Sequence, residues 1–151
     1  MIDKNLLIFQ KASKADLSDI ISMLQDDILG QERENKEDSS IYDAAFEEIT
    51  KDSNHFLAVV KYHDKNIATC HLTIIPTLAI SAKKRMNIEA VRVIKDFTSQ
   101  GIGSWMIKQA IEIAREREVA IVQLTTNKER AEALKKLYEL KTGKTLSPKN
   151  D

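Results

Sequence analysis

The stretch that decides the fold runs from Glu89 to Met106 and reads EAVRVIKDFTSQGIGSWM. Its first part is apolar and predicts the end of a strand, and Gly101 and Gly103 stand where an amphipathic helical pattern begins. At a helix N-terminus the first backbone N–H groups have no intrahelical partner, and the helix dipole is positive there. Glycines let an anion approach that backbone, because no Cβ stands in the way. The stretch therefore predicts a phosphate-binding loop.

Two common nucleotide-binding loops do not fit this spacing. A dinucleotide fingerprint requires a third glycine, and Met106 occupies that position. A triphosphate loop requires Lys followed by Ser or Thr directly after its last glycine, whereas Ser104 follows Gly103 here. The two glycines are also compatible with a tight strand-to-helix turn that binds nothing. The loop alone therefore does not identify its ligand.

The apolar pattern on both sides of this loop predicts a mixed α/β domain. A helix carries Leu17, Ile20 and Leu24 at helical spacing, and Ser13 or Asp16 can cap its start. In chain order, the predicted elements are a strand over 6–11, this first helix, a helix over 41–50 with Ala44, Ala45 and Ile49 on its apolar side, strands over 56–62, 67–75 and 86–94, a helix over 101–117, a strand over 120–125 and a helix over 129–141. We expect a single domain over residues 1–151 whose later strands are joined through helices.

Composition and charge limit the classes of function. The chain has 23 basic and 23 acidic residues, so its formal net charge is zero, and no basic face of a nucleic-acid-binding protein is apparent. No apolar run approaches the roughly 20 residues that span a bilayer. No signal peptide is visible at the N-terminus either. We therefore expect a cytoplasmic protein that contacts neither nucleic acid nor membrane.

The cysteine and histidine residues argue against a disulfide and against a metal site. Cys70 is the only cysteine, so no internal disulfide or thiolate site is possible, and its place in the middle of a strand predicts a small core residue. The remaining candidates, His55, His63 and His71, lack the spacing of metal ligands.

Taken together, several motifs resemble those of the GNAT acetyltransferases. They are Val91-Arg-Val93, the Gly101-Ile-Gly103-Ser104 loop with its helix, QLTTNKER over 123–130, LYE over 137–139, and Gly143. The resemblance covers nearly the whole chain and is strongest from 88 to 138. It implies a mostly antiparallel central sheet flanked by helices, and a loop that holds the pyrophosphate of acetyl-CoA. The residues implied to contact acetyl-CoA are Val91, Arg92, Val93, Thr98, Ser99, Gln100, Gly101, Ile102, Gly103, Ser104 and Asn127.

The chain departs from the family pattern at two places. Thr98 stands where family members most often have Arg or Gln. After Tyr138 the chain reads ELKTGKTLS over 139–147 instead of Leu-Gly-Phe and a closing strand, and one extra residue separates Asn127 from Tyr138. The second departure predicts a C-terminal strand that is shortened, remodelled or missing.

The resemblance implies that a substrate amine attacks the thioester directly, which requires a base for the amine and an acid for the leaving thiolate. Glu89 is the candidate base because it lies in an apolar strand just before the cofactor-binding segment; alternatively, it is an outward-facing or hydrogen-bonded strand carboxylate. Backbone N–H groups between Val91 and Val93 would hold the oxyanion. Tyr138 is the implied acid, or else a packing residue. Asn127 is either a pantetheine contact or a helix cap.

The acceptor side is less clear. Residues 26–34, DDILGQERE, carry clustered carboxylates that would attract a cationic amine, although the same segment suits a solvated loop. We therefore predict an N-acetyltransferase that acts on a small-molecule or amino-acid-like amine. One alternative is a catalytically silent acyl-CoA-binding or regulatory module. Another is a partner protein whose unfinished sheet edge pairs with a second chain, which makes a homodimer possible.

Overall fold

The structure is a computed structural model that describes residues 2–26, 39–125 and 147–149, the last three as backbone only. Every strand and helix predicted within the first two ranges is present, and the predicted helix over 129–141 lies outside the described residues. The strands are β1 (Ile8–Lys11), β2 (His55–Tyr62), β3 (Lys65–Ile75), β4 (Lys84–Val93), β5 (Val119–Thr125) and β6 (Ser147–Lys149), and the longer helices are α1 (Leu17–Gln25), α2 (Ser40–Lys51) and α3 (Ile102–Glu116).

The strands form one mixed sheet in the order β1-β2-β3-β4-β5-β6. The pairings from β1 to β4 are antiparallel, whereas β4 with β5 and β5 with β6 are parallel. A parallel neighbour requires a crossover connection, and α3 supplies it between β4 and β5. The predicted mostly antiparallel sheet with flanking helices is confirmed. The final strand, β6, is described over Ser147–Lys149, and the residues on both sides of it lie outside the described ranges.

The two faces of the sheet have separate cores, because successive strand residues point to opposite sides. One face packs against α3, whose residues Ile102, Met106 and Ala110 are buried at helical spacing. The other face packs against α1 and α2 through a smaller cluster. That cluster consists of Ala12, Leu17, Ile20, Phe46, Leu57 and Val59.

The structure tests two predictions about the core, the burial of Cys70 and the apolar side of α2. Cys70 is completely buried in the α3-side core, and burial raises the pKa of its thiol to about 12, so the prediction of a core residue is confirmed. The predicted apolar side of α2 is wrong in part: Ala44 and Ala45 are exposed, and Phe46 is the buried residue of that helix. An aromatic ring buries far more apolar area than a methyl group, so Phe46 sets the rotation of α2.

A buried carboxylate fixes the start of α1. Asp16 accepts hydrogen bonds from the backbone N and Oγ of Ser13, at 2.9 and 3.1 Å. Of the two predicted caps, Ser13 thus forms a capping box with Asp16 at the 3₁₀ turn Lys14–Asp16 that leads into α1. The other oxygen of Asp16 accepts from Lys61 Nζ at 2.8 Å and from Asn66 Nδ2 at 3.0 Å, so α1 is tied to the β2–β3 hairpin. Burial by itself would raise the pKa of Asp16, but these donors outweigh burial and lower the pKa to about 2.

Candidate active site

A bulge interrupts β4 near the middle of the sheet. Glu89 lies opposite His71 on β3, and Arg92 lies opposite Thr69, so β4 has one more residue than β3 between these pairs. Ala90 has a φ of 53°, in the left-handed region that favours glycine. An extra residue reverses the alternation of side chains beyond it. As a result, Glu89 and Arg92 both lie on the side of the sheet that faces α1 and α2.

Beyond the bulge, β4 and β5 separate. Their pairing ends where Glu89 lies opposite Thr125, whereas β4 continues to Val93. Within the described ranges, the backbone from Val91 to Val93 pairs only with β3. The opposite edge of this segment therefore has backbone groups that a ligand can reach. A strand edge of this kind is able to donate an N–H to a developing oxyanion.

The predicted phosphate loop lies next to this open edge. Gly101 has a φ of 79° and forms the N-cap of α3, a conformation that glycine adopts without steric cost. Ser104 is in the first turn of α3 and is only 2% exposed, and its Oγ has no hydrogen-bond partner among the described residues. A buried hydroxyl without a partner carries a desolvation cost that a bound anion would remove. The loop and the helix start thus fit the pyrophosphate of acetyl-CoA.

Three side chains of this region make their hydrogen bonds within the protein. Thr98 donates from Oγ1 to the Lys95 carbonyl at 2.9 Å and so closes the loop. An Arg at this position would instead supply a cation. Gln100 accepts from the backbone N of Ile2 at 3.2 Å and donates to a loop carbonyl. Arg92 donates from its guanidinium to the carbonyl of its neighbour in β4, at 2.9 Å. Thr98 and Gln100 could therefore contribute to a ligand chiefly through their backbone N–H groups.

Glu89 belongs to a hydrogen-bonded row of side chains on the α1/α2 face. The half-buried Glu89 accepts from Asn87 Nδ2 at 3.2 Å, and the side-chain oxygen Oδ1 of Asn87 in turn accepts from the Thr125 hydroxyl. This row connects the end of β5 to the carboxylate next to the bulge. Glu89 is thus the hydrogen-bonded strand carboxylate of one interpretation, and its position beside the open edge also suits the catalytic one.

Two histidines extend the same polar face onto β2 and β3. His55 Nδ1 and His71 Nε2 are 2.9 Å apart, and His55 Nε2 is 3.7 Å from an oxygen of the exposed Asp52. Burial, followed by the charge of His55, lowers the pKa of His71 to about 4, so His71 is neutral at pH 7. Sequence reasoning considered these histidines only as metal ligands and missed the pair. The one available signal is that His71 and Thr73 alternate within an apolar strand, as Asn87 and Glu89 do.

The structure thus brings most of the predicted site residues together. Glu89 lies beside the bulge on β4, and the remaining residues lie on the strand end, in the loop or in the first turn of α3; these are Val91, Arg92, Val93, Thr98, Ser99, Gln100, Gly101, Ile102, Gly103 and Ser104. Ile102 is almost fully buried in the α3-side core, so its side chain packs. Asn127 and Tyr138 lie outside the described residues, as does most of the acidic segment over 26–34.

Two further observations limit the kind of site. Among residues 2–26 and 39–125, no group of three His, Cys, Asp or Glu side chains is arranged to hold a metal ion. None of the helices in the described part of the chain combines the length and the hydropathy that a membrane-spanning helix requires.

The site thus consists of a bulged fourth strand in a mixed sheet, beside a glycine loop that opens a helix. Comparison with family models identifies the family: residues 21–143 match the model of the acetyltransferase (GNAT) family, and the chain belongs to it. The resemblance drawn from the sequence motifs is therefore confirmed.

Solved structures agree with this assignment. A transcriptional regulator from Bacillus halodurans C-125 is 37% identical, with a TM-score of 0.82 over 91% of this chain and 93% of its own. Glucosamine-6-phosphate N-acetyltransferase from Arabidopsis thaliana is 21% identical, with a TM-score of 0.73 over 96% and 95%. A predicted acetyltransferase from Clostridium acetobutylicum, solved with acetyl-CoA, is 18% identical, with a TM-score of 0.70 over 87% and 88%. The comparison with curated proteins finds no significant match.

Proposed function

We propose that the protein transfers an acetyl group from acetyl-CoA to the primary amine of a small molecule by direct attack. The observation that carries this proposal is the position of Glu89, directly before the bulge from which β4 continues as an open edge. A candidate base and candidate oxyanion donors thus follow one another along a single strand. When bound, acetyl-CoA supplies an activated acetyl thioester.

The binding step is assigned to the loop and the start of α3. The N–H groups from Gly101 to Ser104 are the first of the helix and would take the pyrophosphate, with the Ser104 hydroxyl as a further donor. The backbone between Val91 and Val93 would hold the pantetheine arm and the thioester. Asn127, outside the described residues, is the proposed further contact to this arm.

The chemical step requires a neutral amine, and an alkylammonium has a pKa of about 10. Glu89 is the proposed acceptor of its proton, because a carboxylate within reach of the acceptor face is what a general base requires. An N–H between Val91 and Val93 would stabilise the oxyanion. Tyr138, outside the described residues, is the proposed donor to the departing thiolate.

We infer that the acceptor is a small cationic or amino-acid-like amine. The acidic segment over 26–34 directly follows α1, which packs on the same side of the sheet as Glu89. Clustered carboxylates attract a cation over several ångströms. The plant relative named as an amino-sugar phosphate N-acetyltransferase supports a small-molecule acceptor.

A second candidate function is that of an acyl-CoA-binding regulatory module without turnover. Two observations favour it. Thr98 uses its hydroxyl to close its own loop where a cation would otherwise face the phosphates. The relative that is 37% identical is named as a transcriptional regulator. In this case ligand binding is retained and amine-dependent thiol release is absent.

Thermal unfolding with increasing acetyl-CoA, run beside a thiol-release assay over a panel of amines, separates the two candidates. A ligand that binds only the native state raises Tm with its concentration. A rise in Tm together with amine-dependent thiol release supports the enzyme, and a rise in Tm without release by any amine supports the regulatory module. An unchanged Tm up to millimolar acetyl-CoA contradicts both.

A variant of Thr98 tests the loop itself. Thr98→Arg introduces the Arg that many family members have here. A charge-assisted hydrogen bond is worth about 1 kcal/mol more than a neutral one, so we expect Kd for acetyl-CoA to fall roughly five-fold. Thr98→Ser keeps the hydroxyl and is the matched control. Calorimetric titration measures both. An unchanged Kd in Thr98→Arg would place the phosphates elsewhere.

A further inference from the structure

Arg85 is a half-buried cation of β4, four residues before Glu89. Met86 and Ile88 belong to the α3-side core. Because successive strand residues point to opposite sides, Arg85, Asn87 and Glu89 lie together on the other face, toward α1 and α2. The pairing of β4 with β3 stays in register from Arg85 to Glu89, so no bulge interrupts this interval. The strand therefore presents a cation and the proposed base in one row.

The guanidinium of Arg85 has no partner within the described part of the chain. Its Nε is buried and lacks a hydrogen-bond acceptor, and none of the ion pairs between described residues includes Arg85. The residues opposite it are Ile75 on β3 and Ile121 on β5, which can pack against the aliphatic stem but offer no side-chain acceptor. Asn87, the next residue on this face, has both of its side-chain groups engaged in the row that holds Glu89. A buried donor without an acceptor carries a desolvation cost that an anionic ligand would remove.

We propose that Arg85 binds an anionic group of the acceptor, a carboxylate or a phosphate, while the amine of the same molecule reaches Glu89. This role of Arg85 rests on the proposed function and narrows its substrate class to amines that also carry an anion. Arginine suits the role because its planar guanidinium donates two parallel hydrogen bonds to a carboxylate or a phosphate. Arg85 is thus a residue that binds the substrate and determines specificity, at a distance from the bond that forms.

The spacing of Arg85 and Glu89 sets the length of the acceptor. Four residues of a strand span about 13 Å. Each charged end of the acceptor lies about 3 Å from its protein partner when it is hydrogen-bonded, so the amine and the anion are roughly 7 Å apart in a molecule that lies between the two side chains. An extended chain advances about 1.2 Å per bond, so this distance corresponds to roughly six bonds. A linear amino acid such as 6-aminohexanoate, or lysine through its ε-amine, has this length.

Matched acceptors test the need for an anion in the wild-type protein. Hexylamine and 6-aminohexanoate share an alkyl chain and differ in the carboxylate, and 4-aminobutyl phosphate offers a phosphate at a similar distance from its amine. We expect kcat/KM for 6-aminohexanoate to exceed that for hexylamine about 20-fold, since a hydrogen bond to a charged group corresponds to roughly a ten- to hundred-fold preference. A larger value with 4-aminobutyl phosphate also supports the proposal and identifies phosphate as the anion. Equal values for hexylamine and both anionic acceptors overturn it.

The variant test uses Arg85→Gln and Arg85→Lys. Arg115→Gln is the matched control, because Arg115 is an exposed cation of α3, on the other side of the sheet. Arg85→Gln should raise KM for 6-aminohexanoate about 20-fold, and should leave kcat, KM for acetyl-CoA and the turnover of hexylamine at the wild-type level. Arg85→Lys keeps the charge without the planar fork and should recover part of the loss. A merely structural role of Arg85 would impair both acceptors equally, and that outcome, or an unchanged preference in Arg85→Gln, overturns the proposal.

A binding measurement does not depend on turnover. The Nε–H group of Arg85 gives a ¹H–¹⁵N signal that is assigned by its absence in Arg85→Gln, and we expect this signal to shift on titration with 6-aminohexanoate but not with hexylamine. A signal that neither 6-aminohexanoate nor 4-aminobutyl phosphate shifts overturns the anion site, even when the wild type releases thiol with some other amine. A shifted signal without thiol release from any amine overturns the proposed function and leaves the anion site in place. The two failures are therefore distinguishable.

Discussion

The two faces of the central sheet differ in the side chains that β3 and β4 present, and in the proposed function only one face takes part in the chemistry. On the α3 side, the strand residues Leu72, Met86 and Ile88 are fully buried among apolar neighbours. On the α1/α2 side, the same strands present His71 and Glu89, with hydrogen-bonded polar partners. Alternate residues of one strand are therefore apolar and buried on one face, and polar and hydrogen-bonded on the other. Changes to adjacent residues should have separable effects on folding and on catalysis.

The largest effect on folding is expected from Ile88→Ala. Ile88 is completely buried between β3, β5 and α3, so removing its side chain leaves a cavity that costs about 3 kcal/mol of unfolding free energy. Urea unfolding measures this loss, and Ile88→Val should lose only about 1 kcal/mol. The kcat per folded molecule should stay at the wild-type level. A large loss of kcat at full folding would contradict the division between the faces.

The change at the neighbouring residue, Glu89→Gln, should lower kcat and leave stability nearly unchanged. Loss of a general base typically lowers the rate at least ~100-fold, and we expect such a fall in kcat with Tm within a few degrees of the wild type. Thiol release at saturating acetyl-CoA and amine measures it. The control is Glu112→Gln, which changes an exposed carboxylate of α3 paired with Arg115. Equal activity in Glu89→Gln and in the control would assign the base to another residue.

Asp16 provides a stability effect on the polar side of the sheet, away from Glu89. Its pKa is lowered in the folded state, to about 2, so its contribution is present above the unfolded value near 4 and disappears as the pH falls to 2. We expect Asp16→Asn to lose about 2 kcal/mol at pH 7 and to show a flatter stability profile between pH 4 and pH 2. Urea unfolding at each pH measures both. Parallel pH profiles of the unfolding free energy for the two proteins would show that other carboxylates cause the loss of stability below pH 4.

The smallest effects are expected at the bulge. Ala90 has a left-handed backbone that costs a residue with a Cβ about 1 kcal/mol. Glycine removes this steric cost but loses more chain entropy on folding, which offsets part of the gain. Ala90→Gly should therefore raise the unfolding free energy by roughly 0.5 kcal/mol. Ala90→Val should lose more than 1 kcal/mol, because β-branched residues tolerate this region poorly. Thermal melts of both variants measure the difference. Equal stability of the two would contradict the bulge.

The sequence predicted the features that depend on local pattern. Gly101 and Gly103 before an amphipathic pattern indicated a glycine loop that opens α3, and Ser13 with Asp16 indicated the start of α1, because both signals arise within a few residues. The contact of Lys61 with Asp16 joins residues far apart in the chain, and no local pattern indicates it. The shortening of the last strand, inferred from the altered sequence after residue 138, stays a prediction.

The features that were missed depend on strand register. His55 and His71 become neighbours only because β2 and β3 pair in one particular register, which the apolar pattern constrains but does not specify. The bulge at Ala90 gave no signal, because a left-handed position usually reveals itself by glycine. Without the bulge, the alternation would have placed Arg92 on the opposite face from Glu89.

The buried thiol of Cys70 has a practical consequence. It is the only cysteine of the chain and is inaccessible in the native fold, and thiol reagents react with the thiolate. A chromogenic disulfide reagent that counts released CoA will therefore read the native enzyme with little background. Without substrate, the slow rate at which the same reagent modifies Cys70 reports how often the central sheet opens. This rate should increase in Ile88→Ala.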